Sequence, residues 1–269
     1  RVLFRSPDFI QPAFRKNEVL GFLRQELGDL CISRPKARLN WGIELPFDDE
    51  YVTYVWFDAL TNYISAIGYP NQEETFKQWW PVDYHLIGKD ILTTHAVYWP
   101  TMLMAADLPL PKTIFAHGWW LMGDAKMSKS LGNVVRPLDL ANEYGVDALR
   151  YFLMREMTPG QDASFTMDNF ISRYNSDLAN DLGNMVNRIT KLLGRNFDYV
   201  LPDPGETMPV DSDLVQHVSA LPEKVSSELD QMRVNYAITH VFDVLREINR
   251  YLEETAPWKL LKTDKERAG

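Results

Sequence analysis

Apolar residues recur at two periods along the chain, and the places where the period changes mark its elements. In residues 17–27, Val19, Leu20, Phe22, Leu23 and Leu27 fall at helical spacing, which predicts a helix with Asn17 as N-cap and Gly28 as stop. Residues 31–41, with Pro35 and three basic side chains, read as an irregular connector. Residues 42–45 and 51–56 are rich in strand formers and flank Pro46-Phe47-Asp48-Asp49-Glu50, which predicts a short hairpin. Residues 58–67 read as a helix. Tyr84-His85-Leu86-Ile87-Gly88 is an apolar run that stops at glycine. A helical stretch over 91–106 follows, with a kink predicted at Pro100. Next come a strand-like run, 112–116, a loop of small and hydroxylated residues, and an amphipathic stretch, 137–156. In that stretch Leu138, Leu140, Ala141, Tyr144, Val146, Leu149 and Phe152 form the predicted apolar face. Strand, helix, strand, loop, helix is the grammar of a parallel α/β sheet, whose ligands gather at the carboxyl ends of the strands.

Beyond Thr158-Pro159-Gly160 the pattern turns helical to the end, broken by a proline-rich linker at 201–209. Residues 166–193 predict one long helix. Its stripe is Leu178, Leu182, Met185, Val186 and Ile189, with Asn180, Asn184, Asn187 and Arg188 opposite. Further helices are predicted at 211–220, 222–231 and 235–254. The expected architecture is therefore a partial doubly wound parallel sheet followed by an all-α helical bundle. The expected domains are 7–160 and 161–269, with residues 1–6 read as a non-native lead-in.

Composition adds limits. The 269 residues, 45% hydrophobic and 24% charged, suit a globular protein of about two domains. No apolar run is long enough to span a bilayer, so no membrane partner is expected. The single cysteine, Cys31, excludes a disulfide framework and a four-cysteine zinc site within this chain. The formal charge of -9 argues against indiscriminate coating of nucleic acid, while leaving room for a grip on one folded RNA.

The densest chemistry lies at Lys126-Met127-Ser128-Lys129-Ser130. Two lysines on a small-residue loop offer mobile point charges, and the serines add donors without bulk. Read alone, such a loop is also an ordinary solvated one. The five residues, however, are the complete KMSKS signature of class I aminoacyl-tRNA synthetases, following a strand-like run and His117-Gly118. From about Pro7 onward the chain resembles the methionyl-tRNA synthetase family. The resemblance is carried by the 54–63 segment Tyr-Val-Trp-Phe-Asp-Ala-Leu-Thr-Asn-Tyr, by Ile87-Gly88-Lys89-Asp90-Ile91 with His95, and by Asn249-Arg250-Tyr251 with Ala256-Pro257-Trp258.

That resemblance implies ATP-dependent activation of methionine to methionyl-adenylate and transfer to tRNA(Met). Lys126, Ser128 and Lys129 are the implied catalytic residues, and ATP, with Mg2+, is the implied co-substrate. A methionine pocket is implied at Trp56, Ala59, Leu60, Tyr63, His95 and Tyr98; polarisable rings suit a thioether, although an aromatic stripe at helical spacing is also ordinary core. Gly88, Asp90, His117, Gly118, Trp119, Trp120, Met127 and Ser130, with the signature lysines and serine, are the implied ATP contacts. Asp90 reads equally as the N-cap of the next helix. Asn184, Arg188 and Trp258 are implied to read the anticodon. The family's HIGH-type ATP motif and its zinc-bearing insertion have no match here. The resemblance therefore implies a partner, the missing N-terminal half of the same enzyme, and a chain inactive by itself. It also implies an exposed apolar edge at the Leu86 strand and a cytoplasmic location. Another class I synthetase and a non-catalytic tRNA-binding module are the alternatives.

Overall fold

The computed structural model describes residues 6–123, 125–127, 134–203 and 205–269, the side chains of Ala125 and Lys126 excepted. The chain divides into two compact units, Arg1–Trp119 and Trp120–Gly269.

The first unit contains β1 (Ile10–Gln11), α1 (Arg15–Leu23), β2 (Ser33–Pro35), β3 (Glu44–Leu45), β4 (Asp48–Thr53), α2 (Val55–Ser65), α3 (Glu73–Trp79), β5 (Tyr84–Gly88), α4 (Trp99–Ala105) and β6 (Thr113–His117). Its main sheet is parallel, in the order β1-β6-β5. β6 is central, so both faces of Ile114, Phe115 and Ala116 are covered, and the run is continuously apolar. β5 is the edge, where Leu86 remains 60% exposed while its neighbours His85 and Ile87 are buried. Phe9, Ile10, Val19, Ile87, Leu92, Ile114 and Ala116 form one core. Leu60, Ile64, Trp80, Trp99 and Leu103 form a second.

Several boundaries differ from the sequence pattern for physical reasons. α1 starts at Arg15 and stops at Leu23, not Gly28, because Leu23 and Leu27 find no core to cover them. The connector expected to be irregular contributes β2, which pairs antiparallel with β4; Pro35, lacking a donor, closes that strand at the sheet margin. The hairpin of β3 and β4 exists with a tighter turn, at Pro46-Phe47. The 91–106 stretch is not one kinked α-helix. A 3-10 turn (Lys89–Ile91) and a π-helical turn (Thr94–Tyr98) precede α4, placing Pro100 in the first turn of α4, where its missing N–H costs little.

The second unit contains β7 (Trp120–Met122), β8 (Ala125–Lys126), α5 (Pro137–Tyr144), α6 (Val146–Glu156), β9 (Ala163–Phe165), α7 (Met167–Arg173), α8 (Asn184–Asn196), α9 (Pro209–Asp230), α10 (Val234–Thr255), α11 (Pro257–Leu260) and α12 (Lys265–Ala268). Gly145, at φ 92°, splits the 137–156 stretch into α5 and α6, a conformation glycine adopts without steric cost. Leu140, Leu149 and Phe152 enter the core with Phe165 and Phe170, whereas Leu138 (76% exposed) and Val146 lie outside it. The 166–193 helix is continuous, opened by Thr166, whose Oγ1 accepts from the Asn169 N–H at 3.1 Å. Its middle, Tyr174–Gly183, is π-helical, which turns the face drawn at 3.6-residue spacing. Asp177 and Met185 are consequently buried, while Leu182 and Val186 are exposed. α9 runs unbroken through Pro222 instead of forming two helices, because it packs along α10 on both sides of the proline.

Asp211 ties this bundle together. Its Oδ1 accepts from Tyr251 Oη at 2.7 Å and from Arg267 Nη2 at 2.6 Å, and its Oδ2 caps the Met208 N–H at 2.8 Å. The Arg267 guanidinium, then the Tyr251 hydroxyl, hold the Asp211 carboxyl down to about 2. Asp211→Ala is expected to lower the unfolding free energy by about 1.5–3 kcal/mol, as read from urea denaturation at pH 7. A depressed carboxylate stabilises only above its unfolded value, so this contribution fades as pH falls from about 4 through 2.

Candidate functional site

Four constellations carry chemistry. The first lies between α2 and the π turn. Trp56, Ala59, Leu60 and Tyr63 recur along one side of α2. Leu60 is fully buried, Trp56 and Tyr98 pack against its cluster, and Ala59 and Tyr63 remain exposed. The Tyr63 hydroxyl lies 3.0 Å from His95 Nε2, and His95 Nδ1 lies 2.9 Å from the Ile91 carbonyl oxygen. A carbonyl can only accept, so Nδ1 carries the proton, Nε2 is bare, and the Tyr63 hydroxyl donates to it. His95 is 1% exposed, and burial keeps its proton affinity below the usual histidine value despite the opposing carbonyl. The Trp56 ring meets His95 edge-on at 5.9 Å. The result is an aromatic cluster with one neutral polar end, chemistry that suits an apolar or thioether side chain.

Sequence reasoning missed the ring beneath this pair. His85, 4% exposed, lies 4.4 Å from the Tyr63 ring and accepts from Trp99 Nε1 at 3.1 Å. The alternation of β5 carries the signal, since His85 and Ile87 share the inward face. Burial, then the neighbouring His95, push His85 down to about 4. The unfolded ring takes up a proton below about pH 6.5 that the folded ring refuses until about 4. Stability should therefore be full above pH 7 and fall by on the order of 2–3 kcal/mol across that window. Urea titrations of the chain at pH 7.5 and 4.5 check this, and His85→Gln should reduce the difference, leaving the part that the buried His95 contributes.

The second constellation is a shelf at the carboxyl ends of β5 and β6, where Gly88 pairs in register with His117. A Cβ on Gly88 would sit 2.7 Å from Asp90 Oδ1, so glycine lets the carboxylate stay where Trp119 meets it. Trp119 Nε1 donates to the same Oδ1 at 3.1 Å, and Lys89 Nζ lies 4.4 Å from the centre of the Trp119 ring. His117 Nδ1 donates to the Gly118 carbonyl at 2.7 Å. Asp90, His117, Gly118 and Trp119 thus lie on or beside one shelf. Trp120 belongs to β7 of the second unit, its ring 5.8 Å from Phe152.

The third is the root of the signature loop. β8 pairs antiparallel with β7, Leu121 opposite Lys126, and β7 pairs parallel with β9. Met127 packs on the Leu140–Phe152 cluster, and Ser164 Oγ donates to the Gly123 carbonyl at 2.8 Å. Ser128, Lys129, Ser130 and the side chain of Lys126 lie outside the described residues.

The fourth is a platform in the helical unit. Trp258, 42% exposed, follows Ala256 and Pro257, and the left-handed Ala256 (φ 43°) turns the chain from α10 into α11. The Arg188 guanidinium lies 5.1 Å from the Trp258 ring centre and 3.5 Å from Glu253 Oε1. Asn184 is exposed one turn earlier on α8. Asn249 Nδ2 donates to the Asp181 carbonyl at 2.9 Å, fixing α10 to the π segment. A half-exposed indole beside a guanidinium and an amide can stack and hydrogen-bond an unpaired base. Among the described residues, no three His, Cys, Asp or Glu side chains converge as a metal site requires. No described helix is long and apolar enough to cross a membrane.

The family model "tRNA synthetases class I (M)" matches residues 5–190. The chain belongs to the class I tRNA synthetase (M) family. A second model, "Anticodon binding domain of methionyl tRNA ligase", matches residues 201–269 of this synthetase chain. The methionine–tRNA ligase of Clostridium acetobutylicum is 47% identical over 97% of the chain and 41% of its own length. That of Rickettsia conorii is 44% identical over 97% of the chain and 52% of its own length. Among solved structures, Mycobacterium tuberculosis methionyl-tRNA synthetase bound by methionyl-adenylate superposes with a TM-score of 0.93. It shows 42% identity over 99% of the chain and 53% of that protein. The present chain thus spans about two fifths to one half of the relatives it matches.

Proposed function

We propose that the chain supplies the C-terminal half of the catalytic domain (7–160) and the helical anticodon-binding domain (161–269) of a methionine–tRNA ligase acting in the cytoplasm. Its substrates are methionine, ATP as its Mg2+ complex and tRNA(Met), and the rest of the catalytic domain is supplied by the segment that the longer relatives carry. The methionine carboxylate attacks the α-phosphorus of ATP and pyrophosphate leaves; a 3′-terminal hydroxyl of the tRNA then attacks the methionyl carbonyl and AMP leaves. The observation that best supports methionine is the Tyr63–His95 hydrogen bond closing an aromatic slot. It offers a polarisable wall and a neutral polar tip, which suits a thioether and disfavours charged side chains. Trp56, Ala59, Leu60 and Tyr98 line that slot. Gly88 and Asp90 seat the ribose, with the Asp90 carboxylate accepting from its hydroxyls. His117, Gly118 and Trp119, with Trp120, Met127 and Ser130, complete the ATP contacts; Lys126 and Lys129 neutralise charge on the leaving pyrophosphate, and Ser128 donates a hydrogen bond to it. Asn184, Arg188 and Trp258 read the anticodon.

The test is ATP–pyrophosphate exchange by the protein extended with its own upstream sequence to the relatives' length. Methionine should support exchange, while leucine, valine, isoleucine and cysteine should not. Exchange driven by one of those four in place of methionine would overturn the assignment.

A further inference from the structure

Tyr63 rests on a buried floor of rings whose arrangement is more specific than packing requires. His85 stands at the centre of that floor, between Tyr63 at 4.4 Å, Trp80 and His95 at 6.1 Å each, and Trp99 at 6.5 Å. A phenylalanine or leucine would fill the same volume without the cost of burying an imidazole. What the imidazole adds is an acceptor. The indole N–H of Trp99 is donor-only and Trp99 is 1% exposed, so its bond to His85 Nε2 satisfies a group that otherwise goes unpaired. The same bond fixes the rotation of the His85 ring, and Tyr63 lies against that ring at an interplanar angle of 52°. Two parallel links result: Trp99 N–H to His85 Nε2, and Tyr63 O–H to His95 Nε2. The contact between the Tyr63 and His85 rings joins them.

We propose that His85 is a positioning residue for methionine recognition: held by Trp99, its ring fixes Tyr63 and so sets the depth of the slot at the Tyr63–His95 end. The inference rests on the proposed function and adds a residue that touches no substrate. The side chain it favours is a thioether of methionine length, with the longer ethyl thioether disfavoured by where the floor holds Tyr63.

Two substitutions separate the two contributions of the ring. His85→Gln keeps an acceptor near the Nε2 position but removes the flat surface beneath Tyr63. His85→Phe keeps the surface and removes the acceptor. In the full-length protein, His85→Gln is expected to raise the methionine KM about ten-fold with kcat and the ATP KM within about two-fold, the pattern of lost ground-state positioning. Its preference for methionine over ethionine should narrow by a similar factor. His85→Phe should shift the methionine KM less and instead change Trp99 fluorescence. An unchanged methionine KM and preference in His85→Gln would overturn the proposal. Equal losses in kcat and both KM values, in step with lost stability, would do so too, since they would make His85 core filling only.

A second readout stands apart from activity. In the 269-residue chain, the His95 Nε2 nitrogen chemical shift reports the Tyr63 hydrogen bond. It should move in His85→Gln and by a smaller amount in His85→Phe, whose ring keeps the surface but has lost the Trp99 bond; no movement in His85→Gln would refute the link. If the unaltered full-length protein fails to activate methionine, the functional assignment falls, while the nitrogen shift still decides whether His85 holds Tyr63.

Discussion

Lys126→Ala or Lys129→Ala, made in the protein extended to the relatives' length, is expected to lower the rate of methionine-dependent ATP–pyrophosphate exchange by about 10²–10³-fold. The effect should appear in kcat, with the methionine KM nearly unchanged. Phosphoryl-group chemistry asks little covalent work of a protein, so most of the acceleration comes from positioning and from neutralising charge as pyrophosphate departs. A lysine ammonium suits that task because it is compact, strongly charged and carried on a flexible stem. The fold is consistent with such a role at the root of the loop. Lys126 pairs through its backbone with Leu121, and Met127 is seated in the Leu140–Phe152 cluster. Lys129→Arg should recover part of the rate, because charge is kept and shape is not. Exchange rates within three-fold of the unaltered protein for both alanine variants would remove the loop from the mechanism.

Trp258→Ala should have the opposite profile. Stacking of a base on an aromatic ring is worth about 1–3 kcal/mol, so kcat/KM for tRNA charging should fall about 5- to 150-fold. Exchange without tRNA should stay within two-fold, because methionine and ATP bind in the other domain of the proposed enzyme. Trp258→Phe should regain much of the loss, as a smaller ring still stacks. Arg188→Ala should cost a comparable amount while also releasing Glu253, its partner at 3.5 Å. Charging assays with a tRNA(Met) transcript and with an anticodon-substituted one decide the matter. If Trp258→Ala charges both transcripts as the unaltered protein does, the platform on α11 does not read RNA.

The parts of this architecture that sequence makes plain are those where one physical rule dominates. β5 and β6 are short apolar runs ended by Gly88 and His117, and their pairing follows from the grammar of strand, helix and strand. The helical C-terminal region is equally plain from its period. What escapes is structure decided by competing terms. The π segments at Thr94–Tyr98 and Tyr174–Gly183 each contain wider turns than a 3.6-residue template allows, so that template puts Leu182 and Val186 in a stripe they do not occupy. Pro222 marks a break by its chemistry, yet α9 continues because tertiary packing outweighs one missing hydrogen bond. β2 is three residues long and ends in proline, too short to leave a pattern. At the candidate site, adjacency conceals the unit boundary: Trp119 donates to Asp90 while Trp120 packs on Phe152. His85 is the converse case, a polar letter inside an apolar run whose partner, Trp99, is 14 positions away.

The close approach of Asp90 to Gly88 also bears on how the sequence is free to drift. Adding one methyl at residue 88 would displace the carboxylate two positions on, and with it the oxygen to which Trp119 donates. Exchange at 88 alone therefore costs the Asp90–Trp119 hydrogen bond, and a lineage that changes it is expected to alter 90 and 119 as well. Those three positions should vary together or not at all, a covariation that comparing many such sequences would reveal without any measurement on the protein.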